Sequence, residues 1–166
     1  APTARAAQAP PIVIRTGQGN VTRIGAFHVA RDPTLRNAIR RWGAPSSRTS
    51  RYGGSACTVR WKRLKITASF GFLGAGGTAC ESRLGRIASV TLRSSRFETT
   101  GGIHVGSATE EIAEAHPEAS YEDGRWIIDY ATSDIGEDGN VVPTITAQTR
   151  GGRVTSLSLW IGGAGD

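Results

Sequence analysis

Apolar and polar residues alternate along several short stretches of this chain, a pattern typical of half-buried β-strands. Successive side chains of a strand point to opposite faces, so each stretch has one apolar and one polar side. The pattern predicts two antiparallel meanders of three strands, each with one face in the core and one in solvent. The six strand-like runs begin at Cys57, Leu64, Ala88, Trp126, Val141 and Leu157.

A stretch with helical spacing precedes each set of three runs. In the second half, Ser107 and Glu110 have the spacing of a capping box, and Pro117 ends the helix. In the first half, Asp32 is the predicted N-cap and Gly43 the predicted stop. The apolar stripe of that first helix, at positions i, i+3, i+4 and i+7, consists of Leu35, Ala38, Ile39 and Trp42.

Two segments of the chain are nearly the same. GRIASVTL at 85–92 and GRVTSLSL at 152–159 share four of eight residues, and GAFHV from Gly25 is matched by GGIHV from Gly101. The sequence therefore predicts an α+β fold of two tandem repeats. Each repeat has one helix and one antiparallel meander, with the helices on one sheet face and the other face open. The predicted units are an N-terminal extension (1–24), a first repeat (25–97) and a second repeat (98–166).

Three short motifs accompany these predicted repeats: Gly43-Ala44-Pro45 after the first helix, and GRI at 85–87 and GRV at 152–154 before the closing strands. This arrangement resembles the repeat of the BamE/SmpA and beta-lactamase-inhibitor-protein-like superfamily, over residues 25–161. The resemblance implies that the open sheet face binds another protein. Inhibitors of that superfamily carry a disulfide in each repeat, whereas this chain has cysteines only in its first half.

Cys57 and Cys80 are the only cysteines, and their spacing fits neither a zinc nor a haem motif. The chain begins APTARAAQAPP, which is typical of the end left after signal cleavage or of a trimmed chain. In an exported protein the two cysteines would pair, whereas in a cytosolic protein they would stay free thiols. The sequence predicts a Cys57–Cys80 disulfide, a secreted or cell-envelope location, and no transmembrane segment.

Charge divides the chain in two. Residues 1–97 contain 17 Arg and Lys against two acids, a net charge of +15, whereas residues 98–166 have a net charge of −9. One interpretation is a solvated surface and mutual attraction of the two halves. The other is that the basic half binds an acidic protein or an anionic envelope component. Nucleic acid fits less well, because stacking aromatics are not interleaved with the basic residues and the acidic half would repel a long polyanion.

The alternation also predicts which side chains would contact such a partner. Arg60, Lys62, Lys65 and Arg93 fall on the polar side of the first meander, and Trp160 falls on the matching side of the second. Interface hot spots are often Trp and Arg. These five residues are the predicted partner-binding set.

The sequence contains no G-x-S-x-G, no G-x-x-x-x-G-K-[ST] and no metal-ligand spacing around His28 or His104. We therefore predict no catalytic, cofactor or metal residues. The predicted function is that of an exported, non-enzymatic protein-binding module, inhibitor-like or envelope-associated. The alternatives are a structural or envelope-assembly protein and, less favoured, a small hydrolase.

Overall fold

The computed structural model describes residues 9–133 and 140–162, which form two β-sheets, two short α-helices and one 3-10 turn at Tyr52–Gly54. Eight strands form one antiparallel sheet in the order β3-β4-β5-β6-β11-β10-β9-β8, and three form a small sheet in the order β2-β1-β7. The elements are β1 (Ile12–Gly17), β2 (Asn20–Ile24), α1 (Leu35–Trp42), β3 (Ser47–Arg51), β4 (Ala56–Trp61), β5 (Ile66–Gly71), β6 (Arg86–Leu92), β7 (Phe97–Thr99), α2 (Thr109–Ala115), β8 (Ser120–Glu122), β9 (Arg125–Ser133), β10 (Asn140–Arg150) and β11 (Arg153–Trp160).

The prediction of an α+β fold made of two tandem helix-plus-meander repeats is wrong. The protein is mostly β, with 49% strand and 12% helix, and its larger sheet is continuous. The similar segments 85–92 and 152–159 lie in β6 and β11, and these two strands pair with each other, Leu92 opposite Leu157. The strands that were predicted to close two separate meanders therefore form the centre of a single sheet.

Two strands of that sheet, β3 and β8, were not predicted, and both lie at its edges. All five side chains of β3 are exposed, and β8 has only three residues. A strand without a buried side has no apolar alternation, so a search for apolar periodicity cannot detect it. Both edge strands were therefore missing from the predicted three-stranded meanders.

The small sheet uses residues that the sequence placed in an N-terminal extension. β1 and β2 form a hairpin whose turn residues Gln18 and Gly19 both have positive φ, 53° and 80°, as a type I′ turn requires. β1 also pairs in parallel with β7, with Ile12 opposite Phe97. The hydroxyl of Thr144 donates a hydrogen bond of 2.6 Å to the Gly19 carbonyl, which ties the hairpin turn to β10.

Both helices begin later than predicted. The hydroxyl of Thr34 caps α1 by accepting a hydrogen bond from the backbone N–H of Asn37, while the Asp32 carboxylate accepts one of 2.7 Å from the Thr34 hydroxyl. Asp32 thus holds the capping residue in place and is not the N-cap. At α2 the Glu111 carboxylate accepts from the Ala108 N–H. Only the glutamate half of the predicted capping box therefore forms, one residue later than predicted, because the N-cap Ala108 has no side-chain acceptor.

The packed face of the large sheet carries a row of buried side chains that lie opposite one another on adjacent strands. Each of the five is at most 2% exposed. They belong to one core that also includes residues of both helices and of the small sheet. In strand order from β4 to β10 the row consists of Trp61, Ile66, Leu92, Leu157 and Ala147.

Aromatic rings join the layers above that face. The ring of Trp42 on α1 makes edge contacts with Phe27, at 4.9 Å between centroids, and with Trp61, at 5.1 Å. The indole N–H of Trp61 donates to the carbonyl of Gly43, the C-cap of α1. α1 is therefore held against the packed face by edge-to-face aromatic contacts and by a hydrogen bond.

Cys57 and Cys80 form a disulfide, which confirms that prediction. Cys57 is fully buried on the packed side of β4, and Cys80 lies in the connection between β5 and β6. The bond therefore ties that connection to the large sheet.

Candidate binding face

The opposite side of the large sheet, which we call the polar face, carries mostly hydroxyl-bearing side chains. Its central row runs from β4 to β10, each member directly opposite the next across the strand pairs. Each row member adjoins a packed-face residue in sequence, so strand alternation alone sends the two sets to opposite sides. The row consists of Arg60, Thr67, Thr91, Ser158 and Thr146.

Four predicted partner-binding cations lie near one end of β4, β5 and β6. Lys62, Lys65 and Arg93 are exposed and are linked through the main chain, since Lys65 N–H donates to Lys62 C=O and Arg93 N–H donates to Lys65 C=O. Arg60 is also exposed and lies one position inside the end of β4. The structure thus places these four residues in one region, and we call them the cationic cluster.

Trp160, the fifth predicted residue, lies apart from that cluster. It is 41% exposed, at the end of β11, and its cross-strand partner is Ser89 on β6. β4 and β11 are three strand spacings apart, about 14 Å. A ligand would have to span this distance to contact both Arg60 and Trp160.

A groove of about 410 Å³ lies on the polar face, and Trp160 is one of the residues that line it. This volume is within the range of small-ligand sites. We call it the hydroxyl groove, because Ser89, Thr91, Ser158 and Thr146 line it on β6, β11 and β10. The remaining lining residues are Val90, Arg125, Val142, Pro143, Leu159 and Trp160.

Side chains of unequal size line the groove. Four of them are short Ser and Thr side chains, whereas Trp160, Pro143 and Arg125 are larger. Thr146 is 7% exposed, and its hydroxyl makes no hydrogen bond to another residue within the described ranges.

Arg125 is the one charged residue that lines the groove within the described part of the chain. Its cross-strand partner is Glu122 on β8, whose carboxylate accepts a hydrogen bond of 3.2 Å from the Ser120 hydroxyl. Ser120 is also hydrogen-bonded to the Tyr130 hydroxyl, at 2.7 Å. This network engages one oxygen of the Glu122 carboxylate on the strand next to Arg125.

Of the residues that line the groove, Trp160 alone belongs to the predicted partner-binding set. The polar positions of β6 and β11 alternate in the sequence and could have indicated that Thr91 and Ser158 point to the open side. Nothing in the sequence indicates that Arg125 and Pro143 approach them, because that proximity arises from the pairing of β11 with β10 and of β10 with β9.

The histidines lie away from this face. His104 Nδ1 is within 3.0 Å of the Gly102 carbonyl and 3.2 Å of the Ser107 hydroxyl, in a second cavity of about 500 Å³ that Arg96 and Glu98 also line. Over residues 9–133 and 140–162, no group of three or more His, Cys, Asp or Glu side chains is placed to bind a metal ion.

His116 is the residue that ends α2. Burial lowers the pKa of His116 below its ordinary value of 6.5, and the negative charge of Asp129 opposes part of that shift. His116 Nε2 lies 2.8 Å from the Thr99 hydroxyl. That hydroxyl also accepts a hydrogen bond from the Ile103 N–H, so it can donate its own proton to a neutral imidazole.

Residues 1–8 of the predicted N-terminal extension lie outside the described residues. Of the described helices, none is long and apolar enough to cross a membrane.

Comparisons with known proteins leave the family open. No family model matches the chain, and no curated protein matches it. A solved structure, the uncharacterized protein yfeY from Escherichia coli, aligns with 90% of this chain and 99% of its own at 10% identity and a TM-score of 0.41. That similarity is too low to support an argument, and the resemblance to the BamE/SmpA superfamily stays a prediction.

Proposed function

We propose that this protein is an exported, non-enzymatic binding module that holds an anionic partner on the polar face of its large sheet. The observation that carries the proposal is the arrangement of this face. The cationic cluster lies near one end of β4, β5 and β6, and the exposed indole of Trp160 lines the hydroxyl groove on β11. The disulfide is compatible with export, because such bonds persist in oxidising compartments.

The cationic cluster and Trp160 have different roles in this proposal. Exposed cations attract an anionic partner over a distance and raise its association rate, an effect that salt weakens. A half-exposed indole contributes contact area once the partner is bound, and it therefore slows dissociation. In this proposal the cationic cluster sets the association rate, and Trp160 sets the dissociation rate.

The test compares variants of equal charge change in different places. Arg60→Ala and Lys62→Ala should each lower the association rate on immobilised polyglutamate and polygalacturonate, and most strongly at low salt. The control is Arg40→Ala. Arg40 is exposed on α1, which packs against the opposite side of the sheet, so the association rate should change less than twofold.

Trp160→Ala should instead raise the dissociation rate, by about 30-fold for a hot spot of about 2 kcal/mol. If Arg40→Ala and Arg60→Ala lower the association rate equally, net charge alone attracts the polymers and the proposal fails. Rates indifferent to Arg60, Lys62 and Trp160 would favour the alternative of a structural protein without a discrete ligand.

A further inference from the structure

We infer that the hydroxyl groove is a subsite for an acidic saccharide, a chain of polyhydroxylated rings that carry carboxylates. This inference rests on the proposed function and names the class of its partner. Three features of the groove support it: its hydroxyl lining, its single guanidinium, and the main-chain pairing of its strands.

The lining matches the hydrogen-bonding character of sugar rings. Each Ser or Thr hydroxyl both donates and accepts, as do the hydroxyls of a saccharide. Four such side chains line the same groove on three strands that are adjacent in the sheet: Ser89, Thr91, Ser158 and Thr146. The Thr146 hydroxyl, without a partner among the described residues, is the most enclosed of these contacts.

The other two recognition groups match the remaining surfaces of an acidic sugar. The indole of Trp160 offers an apolar plane to the C–H face of a ring. The guanidinium of Arg125 can hold a carboxylate through two parallel hydrogen bonds. Acidic groups further along the saccharide would extend toward the cationic cluster, because Thr91 and Arg60 lie in the same transverse row.

A polypeptide fits this groove less well. Peptides that bind to sheets commonly add a strand to an exposed edge and form main-chain hydrogen bonds. β6, β11 and β10 are interior strands, each paired on both sides. Their main-chain groups are therefore engaged within the sheet, and recognition in the groove depends on side chains.

The experiment is an NMR titration of the intact chain with tri-galacturonate. Saturable shifts should appear at the amides of Thr91, Ser158 and Thr146 and at the indole N–H of Trp160. The fully methyl-esterified trisaccharide keeps the ring hydroxyls and loses the charge, so it should bind about tenfold more weakly. Acetyl-triglutamate amide, the peptide of equal charge, should produce no saturable shifts in the groove.

Variants assign the contacts. Arg125→Gln should weaken tri-galacturonate binding about tenfold and abolish the preference over the methyl ester. Thr146→Val should weaken binding about fivefold. Thr67→Val is the matched control, because Thr67 lies on the same face outside the groove, and it should leave the affinity unchanged. Glu122→Gln, which removes the negative charge opposite Arg125, should tighten binding.

Each outcome of the titration either supports or overturns the assignment of the groove to an acidic saccharide. Saturable binding of triglutamate as tight as that of tri-galacturonate would assign the groove to an acidic polypeptide and overturn the inference. Shifts confined to Lys62, Lys65 and Arg93, or none at all, would also overturn it, while the association-rate comparison of Arg60 with Arg40 would still test the proposed function separately. Loss of binding in Thr146→Val counts only if its amide spectrum and melting temperature show a folded chain.

Discussion

The two faces of the large sheet differ although neighbouring residues of the same strands build them. Leu157 is fully buried in the packed row, and Ser158, the next residue, lies in the row of hydroxyl-bearing side chains on the polar face. The same holds for Leu92 and Thr91. One face therefore supplies the stability of the fold, while the other is free to carry recognition groups without loss of core packing. Substitutions on the two faces should separate these roles.

The largest effect is expected on the packed face. Leu157→Ala removes a fully buried side chain at the centre of the sheet and should lower the free energy of unfolding by about 4 kcal/mol. Ser158→Ala, one residue further along, should change it by less than about 0.5 kcal/mol. Urea denaturation of the two variants measures both values. Similar losses in both would contradict the division of roles.

The disulfide is the next largest contribution. It joins residues 23 positions apart, so replacing both cysteines with alanine should lower the free energy of unfolding by about 3 kcal/mol in the chain-entropy model. Guanidinium denaturation of the wild type, with and without reductant, and of the double variant measures the difference. A stability that is insensitive to reductant would show that the core around Cys57 is sufficient without the bond.

A pH dependence should come from His116, which lies beside the core. Burial holds the pKa of His116 below 6.5, so the unfolded chain binds this proton more readily than the folded chain. The free energy of unfolding should therefore fall as the pH drops from 7.5 through 6.5, and the contribution should be fully lost below the folded-state pKa. His116→Gln should flatten that part of the profile, measured by denaturation at a series of pH values. An unchanged slope would assign the dependence to other groups.

The smallest effect on stability is expected from the hydroxyls of the polar face. Thr67 and Thr91 lie opposite each other on β5 and β6, and Val has the same branched shape and a high strand propensity. The double change to Val should alter the free energy of unfolding by less than about 1 kcal/mol in either direction. A loss of several kcal/mol in thermal unfolding would mean that these hydroxyls hold the sheet together, contrary to the proposed recognition role.

Local patterns in the sequence anticipated which side of each strand faces the core. Alternation around Val59, Ile66 and Val90 correctly predicted three strands, because the two-residue period of a strand is a property of the backbone at that point. Residues that form a strand without a buried side, as in β3, leave no such signal. The predicted start of each helix was also displaced. The observed N-caps are Thr34 and Ala108, and the apolar period of a helix does not indicate where its N-cap lies.

The arrangement of the strands could not be obtained in this way. β6 pairs with β11 across more than sixty residues, and β1 pairs in parallel with β7 across more than eighty. Such pairings depend on which edges meet when the core is buried, and alternation within a strand carries no information about its neighbour. The hydroxyl groove is a consequence of those pairings. The sequence contained Trp160, Thr146 and Arg125, and the register of β6, β11, β10 and β9 brought them to one site.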